Sequence, residues 1–310
     1  MSLARYAMPA LVGLGAVAPT AARAQDAAVL LSRVTNAYPA YSPDGSRIAY
    51  MSNADGDFDI YVAVPDSGVR RKLTDAPGQD GQPVWSPDGS RIAFRSVRDG
   101  NSQIYVMDAD GSNPVNLSRN GFVDEHPVWS PDGARIVFAS ERPPSGGGEP
   151  NYDLFSMAAD GTDVRRITDT PEVETYPALS PDGSRIACRR ILASGDWEVV
   201  ILDVEGSDVL NLSDHEGFDG WPAWSPDGER IVFASERGGS SDLWVVDADG
   251  SNLEQLTRDP DRDERQPWWS PDGMRIAYAR YVWFPEEPFY EASEILEIDV
   301  AEAFAPERSR

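Results

Sequence analysis

Residue types able to do ionic or acid–base chemistry recur in this chain at fixed offsets from a proline. The prolines are Pro39, Pro83, Pro127, Pro177, Pro222 and Pro267. Three residues before them stand Asn36, Asp80, Asp124, Glu174, Asp219 and Glu264. One residue before them stand Tyr38, Gln82, His126, Tyr176, Trp221 and Gln266. Five carboxylates and a collar of aromatics and amides, gathered round one mouth, would suit a cationic segment or a partner's Lys/Arg anchor. The same acids could instead cap the turn by accepting backbone N–H groups. The two readings are compatible.

Other chemistry is weaker. No Gly-x-Ser-x-Gly elbow occurs, and His126 and His215 are the two histidines that could serve a serine nucleophile as base. Both lie beside carboxylates, in Asp124-Glu125-His126 and Asp214-His215-Glu216, but without close ligand spacing. They read as exposed loop histidines. Asn53 to Asp59 alternates oxygen ligands as a calcium loop does, yet lacks the closing Glu. No cofactor is expected; a divalent cation such as calcium is the one candidate. Asp108 and Asp247 read as tight-turn residues. Asp59, Asp153 and Asp242 open strands, and Arg142 and Arg237 are the expected partners of the latter two inside the blade.

These residues must be positioned by a repeat. Ser-Pro-Asp-Gly occurs six times, starting at Ser42, Ser86, Ser130, Ser180, Ser225 and Ser270, at steps of 44 to 50 residues. A proline and, in most copies, an aromatic precede it, and Arg-Ile follows, as in Pro83-Val84-Trp85 and Arg91-Ile92. A period in the forties built from short strands and Gly-rich turns marks a propeller blade. The fold class is therefore all-β: a six-bladed β-propeller of four-stranded antiparallel blades. Blade two parses as Gln82–Ser86, Arg91–Ser96, Gln103–Asp108 and a strand ending at Ser118. Proline cannot donate a ladder hydrogen bond, so the first strand is an edge strand and faces the channel. Blades are expected at 36–75, 76–118, 119–168, 169–213, 214–257 and 258–300. The last lacks a fourth strand, which Val29 to Thr35 would supply, with 26–35 closing the ring. Loops at Pro143–Pro150 and Tyr281–Tyr290 interrupt the repeat; the second, with its aromatics, reads as a local plug or a binding lip.

The pattern Pro-x-Trp-Ser-Pro-Asp-Gly-x-Arg-Ile-x-Phe, followed by Ile-Tyr-x-Met-Asp-x-Asp-Gly, resembles the WD-like repeat of the TolB-like propeller family. The resemblance covers roughly residues 28–300. It is similar also to propellers of prolyl-oligopeptidase-type peptidases and oligogalacturonate lyase-type enzymes. TolB proper carries an extra N-terminal α/β domain for which this chain has no room, so what the resemblance implies is a TolB-like propeller, with membership of a Tol-type system left open.

Composition bounds the rest. Arg5, an apolar run from Ala7 to Ala18 and Ala22-Arg23-Ala24 read as a signal peptide over residues 1–24, leaving a propeller over 25–300 and a tail over 301–310. Removing two arginines takes the formal charge from −25 to −27 (25 basic, 52 acidic residues). That charge argues against nucleic acid or an anionic membrane surface as partner. Cys188 is the single cysteine, in a slot filled elsewhere by Tyr50, Phe94, Phe138, Phe233 and Tyr278, so it reads as a packing thiol. Together these features describe a periplasmic or secreted, non-enzymatic monomer acting as a binding scaffold for a protein or peptide with a basic segment, with no membrane insertion. The alternative is an exported hydrolase or polysaccharide lyase-like propeller, or the accessory propeller of a peptidase.

Overall fold

A computed structural model describes residues 34–303, apart from residue 66 and residues 284–290. The signal-peptide segment, residues 26–33 of the proposed closing strand, most of the aromatic loop after Trp283 and most of the tail lie outside the described residues.

The described chain forms 23 strands in six antiparallel sheets, five of four strands and one of three. The first strands are Asn36–Tyr41, Asp80–Trp85, Val123–Trp129, Val173–Leu179, Asp219–Trp224 and Asp263–Trp269. Each is an edge strand paired on one side to the second strand of its own blade, as the prolines require. In blade two the second and third strands run Arg91–Ser96 and Gln103–Asp108, the ranges read from the sequence. The last blade ends its third strand, Glu291–Asp299, in a four-residue helix, Val300–Ala303.

The repeated motif is a pinned hairpin. In blade two the Ser86 hydroxyl donates to Asp88 at 2.6 Å and accepts the Arg91 N–H at 3.0 Å. Asp88 also accepts the Ser90 N–H at 3.0 Å, and Gly89 takes φ +70°, where a side chain would strain the turn. The motif also joins blades. Pro43 lies against Gly89 of the next blade, and Pro271 of blade six lies against Gly45 of blade one. Arg47 stacks 4.4 Å from the Trp85 ring of the next blade, and Arg275 reaches Tyr41 across the last junction. Blade four carries Leu179 in place of the aromatic, and Arg135 pairs with Asp163 at 2.8 Å.

Hydrophobic clusters each span two neighbouring blades, including blades six and one through Tyr41, Ile48 and Ala277. This is how a repeat buries faces that one unit cannot bury alone. The ring is thus closed by blade-to-blade packing. At the junction Ser293 donates its N–H to the Val34 carbonyl at 3.0 Å. Cys188 is fully buried, and burial raises its thiol pKa, as fits a packing residue.

Candidate functional site

Each first strand carries a bulge at its proline. The register with the second strand slips there, for example between Gly81 and Val84 and between Gly220 and Ala223. The residue before the proline takes positive φ: Tyr38 54°, Gln82 56°, His126 56°, Tyr176 54°, Trp221 53° and Gln266 56°. Left-handed backbone at bulky residues costs on the order of 1–3 kcal/mol each. The bulge re-aims those six side chains toward the axis. With their prolines and Trp268 they line one cavity of about 80 Å³.

The collar is closed across its middle. Tyr38 and Tyr176, from blades one and four, meet hydroxyl to hydroxyl at 3.1 Å with rings stacked at 6.3 Å. His126 packs 3.7 Å from the Tyr176 ring, and Trp221 meets that ring edge-on at 5.8 Å. The amides knit blades: Gln82 accepts the His126 N–H at 2.9 Å, and Gln266 accepts the Tyr38 N–H at 3.1 Å and the Tyr281 hydroxyl at 3.1 Å. Burial, with Arg189 and Arg95 nearby, holds the His126 pKa well below its ordinary value. His126 is therefore a buried, neutral channel residue, contrary to the reading of an exposed loop histidine; His215 is exposed on a loop.

Beneath the collar, Trp268 packs against clusters from three blade junctions. It borders both the collar cavity and a second cavity of about 200 Å³ toward the Ser-Pro-Asp-Gly end. The corresponding residues are Ala40, Val84, Val128, Ala178 and Ala223. A tryptophan where five repeats carry alanine or valine was the available clue to this plug, and sequence reasoning missed it.

The acids three residues before the prolines do not join the collar, and the expectation of an exposed acidic ring is corrected. Asp80, Asp124, Glu174, Asp219 and Glu264 are each at most 2 % exposed. None lines the collar cavity. The reason is their place at a strand entrance between two blades. The Asp80 and Asp124 N–H groups bond to Phe58 and Ser102 of the preceding blade. Their carboxylates turn into the blade: Asp80 meets Arg98 at 2.7 Å, Asp124 meets Arg142 at 3.5 Å and Asn120 at 2.7 Å, and Asp219 meets Arg237 at 3.1 Å. Glu174 meets Arg190 at 2.9 Å and Thr170 at 2.7 Å. Asn36 holds the same position in blade one and exchanges hydrogen bonds with Ser293 at 2.6–3.0 Å. The expected pairings of Arg142 with Asp153 and Arg237 with Asp242 are thus replaced by pairings with the first-strand acids. Asp153 pairs instead with Arg166, and Asp242 accepts from Gln255 at 3.0 Å.

Blade six departs from this rule. Arg280 stands opposite Glu264 but binds Glu294 at 2.5 Å. Among the described residues one Glu264 carboxyl oxygen has no hydrogen-bond partner. Burial, then the neighbouring Asp242 and Asp259 carboxylates, push the Glu264 pKa up to about 8. Burial likewise raises Glu174 to about 7.

The calcium-like stretch spends its carboxylates separately. Asp55 accepts from the Tyr61 hydroxyl at 2.5 Å, Asp57 from the Gly78 N–H at 3.2 Å, and Asp59 pairs with Lys72 at 2.8 Å. Asp108 accepts from Asn113 at 2.7 Å and Asp247 from Asn252 at 2.7 Å within their tight turns. Among the described residues no cluster has the makings of a metal site.

Comparison with known proteins agrees with this architecture. A 53-residue stretch is 45 % identical to the Tol-Pal system protein TolB of Methylococcus capsulatus, covering 17 % of this chain and 12 % of that protein. The structure of TolB from Acinetobacter baumannii superposes with a TM-score of 0.64 at 27 % identity, over 76 % of this chain and 57 % of that one. A protein assigned as TolB from Agrobacterium tumefaciens shares the fold, with a TM-score of 0.64 at 24 % identity over 86 % and 91 % of the two chains. An oligogalacturonate lyase in complex with manganese shares the fold alone, with a TM-score of 0.57 at 18 % identity over 80 % and 75 %. The chain thus spans a small part of its matched sequence relative and just over half of the Acinetobacter protein. The family profile of the TolB β-propeller domain matches residues 20–146 and 134–281. By that match, and by the six blades that the repeat builds, this chain belongs to the TolB β-propeller domain family.

Proposed function

We propose that this chain is an exported, periplasmic, non-catalytic propeller that binds a protein or peptide partner over the collar. The observation that carries this reading is the convergence of Tyr38, Gln82, His126, Tyr176, Trp221 and Gln266 on one axis through six left-handed bulges. Strained backbone held at six equivalent positions serves to present side chains. Half-buried tyrosine and tryptophan are the residue types that anchor protein interfaces. Tyrosine pairing across the axis makes the collar a surface to dock on rather than a pore to thread. The acids are spent inside the blades, so the reason for expecting a basic partner segment is gone.

A photo-crosslinking amino acid tests this reading when placed at Trp221 and, as a control, at the exposed residue Val164, just before the outer strand of blade three. In the native host the Trp221 position is expected to give a discrete protein adduct and Val164 none. An adduct at Val164 without one at Trp221 would move the partner to the outer rim and reject the collar.

A further inference from the structure

The structure assigns a carboxylate-binding site to the collar's edge between blades four and five. We propose that Arg189 there receives a carboxylate side chain from the docked peptide segment. This inference rests on the collar reading above and adds the chemistry of what docks.

The argument is a comparison of equivalent positions. Arg95 of blade two and Arg189 of blade four both stand on second strands, opposite the residue two before the inner proline. Each side chain reaches the next blade at that blade's own residue two before the proline. Arg95 finds Glu125 there, at 3.0 Å. Arg189 finds Gly220, and its side-chain carbon would lie 3.1 Å from a Cβ built on that glycine. One junction supplies its own counter-ion; the other supplies none, because Gly220 has no side chain and the Phe218 ring and the Arg189 stem already crowd its Cβ position. Among the described residues Arg189 makes no ion pair. Its Nε donates to the Thr175 hydroxyl at 3.0 Å, and its guanidinium lies 4.5 Å from the ring centres of both Tyr176 and Trp197. Arg265 of blade six, 5.7 Å from the Trp221 ring centre, is already bound to Asp263 at 2.8 Å.

A half-buried guanidinium without a carboxylate is a costly arrangement that a ligand carboxylate relieves. The surroundings fit such a ligand. Trp197, Phe218 and Trp221 form a continuous half-buried aromatic strip, with ring centres 5.2 and 4.8 Å apart. Among the described residues the Trp221 indole N–H and His126 Nδ1 have no hydrogen-bond partner. A segment with an aromatic beside an acidic side chain would use both features. Planar, delocalised Arg189 suits carboxylate better than lysine would.

Two capped dipeptides, acetyl-Trp-Glu-amide and acetyl-Trp-Gln-amide, test the proposal in NMR titrations of the whole chain. The acidic peptide is expected to bind at least tenfold more tightly and to move the Arg189 Nε–H and the Trp197 and Trp221 indole resonances. Arg189→Met, which keeps the packed stem, is expected to remove the preference and leave the glutamine peptide unchanged. Arg189→Lys is expected to keep part of it, which guards against a folding artefact. Equal binding of the two peptides at the collar would overturn the carboxylate assignment and leave the collar reading standing. A preference that survives in Arg189→Met, or no binding of either peptide, would also overturn it. Tighter binding of galacturonic acid than of the acidic peptide would hand the site to a sugar acid and reject the peptide assignment.

Discussion

Asp219 stands three positions before Pro222, and over that span the chain passes from the interior of a blade to the axis of the ring. Asp219 is fully buried and paired with Arg237; Trp221 is half-buried at the collar. The same division holds at Asp80 and Gln82, Asp124 and His126, and Glu174 and Tyr176. Regular strand alternation alone would put positions two apart on the same face. The left-handed bulge breaks that relation, so one set of side chains fastens neighbouring strands and the other faces what approaches the ring. Equal periodicity in sequence therefore carries two roles, and stability and binding should respond to different halves of one strand.

The largest effect should come from the buried half. Arg237→Met leaves Asp219 without its cation in a water-excluded site, and breaking a buried pair on one side costs about 3–5 kcal/mol. Urea unfolding should show a clearly lower midpoint. Adduct formation at position 221 should persist in the fraction that remains folded. A variant of normal stability would mean that these acids are not the fastening that their geometry describes.

Glu264 sharpens the comparison, because among the described residues it is the one acid of this set left without an arginine partner. Its folded pKa, raised to about 8, exceeds the ordinary value of 4.5. The folded protein then holds more protons than the unfolded chain between those values. Stability from this group is fully present below about pH 4.5 and is lost as pH rises through about 8. Glu264→Gln mimics the protonated form. It should match the wild type near pH 5 and exceed it in unfolding free energy near pH 8.5. Equal pH profiles of the two proteins would show that Glu264 is ionised in the fold without penalty.

How much of this was written in the sequence follows from the same division. The six motifs, the inner position of the proline strand and the collar itself were legible, because each rests on local chemistry: turn residues, a missing donor, a fixed offset. The burial of Asp80, Asp124, Glu174, Asp219 and Glu264 was not, because it depends on the bulge and on arginines about 16 to 18 residues further along. Ser96-Val97-Arg98, Ser140-Glu141-Arg142 and Ser235-Glu236-Arg237 held the clue, since the serine faces the acid across the ladder and the arginine curls back. Blade four instead places Arg190 directly opposite a longer Glu174. Arg189 was invisible until Arg95 and Glu125 showed what its position meets in another blade.

The smallest stability effect should come from the collar. Tyr38 and Tyr176 touch through their hydroxyls across the axis, while their rings stack independently of that bond. Tyr38→Phe removes one hydroxyl and keeps the ring, so the cost is that of one hydrogen bond, about 0.5–1.5 kcal/mol. The Tyr176 hydroxyl loses its tie, and the Tyr176 ring, which carries the stack with His126 and faces Arg189, loses one restraint on its position. Partner binding should then weaken severalfold, because part of the binding energy must be spent ordering a surface that was ordered beforehand. Thermal melts and crosslinking yield at position 221, measured on the same preparation, separate the two quantities. A small fall in stability with a larger fall in yield places Tyr38 in the half of the strand that faces a partner. A large loss of stability with unchanged yield would make the tyrosine pair another internal fastening, and the division between the buried acids and the collar would fail at its central pair.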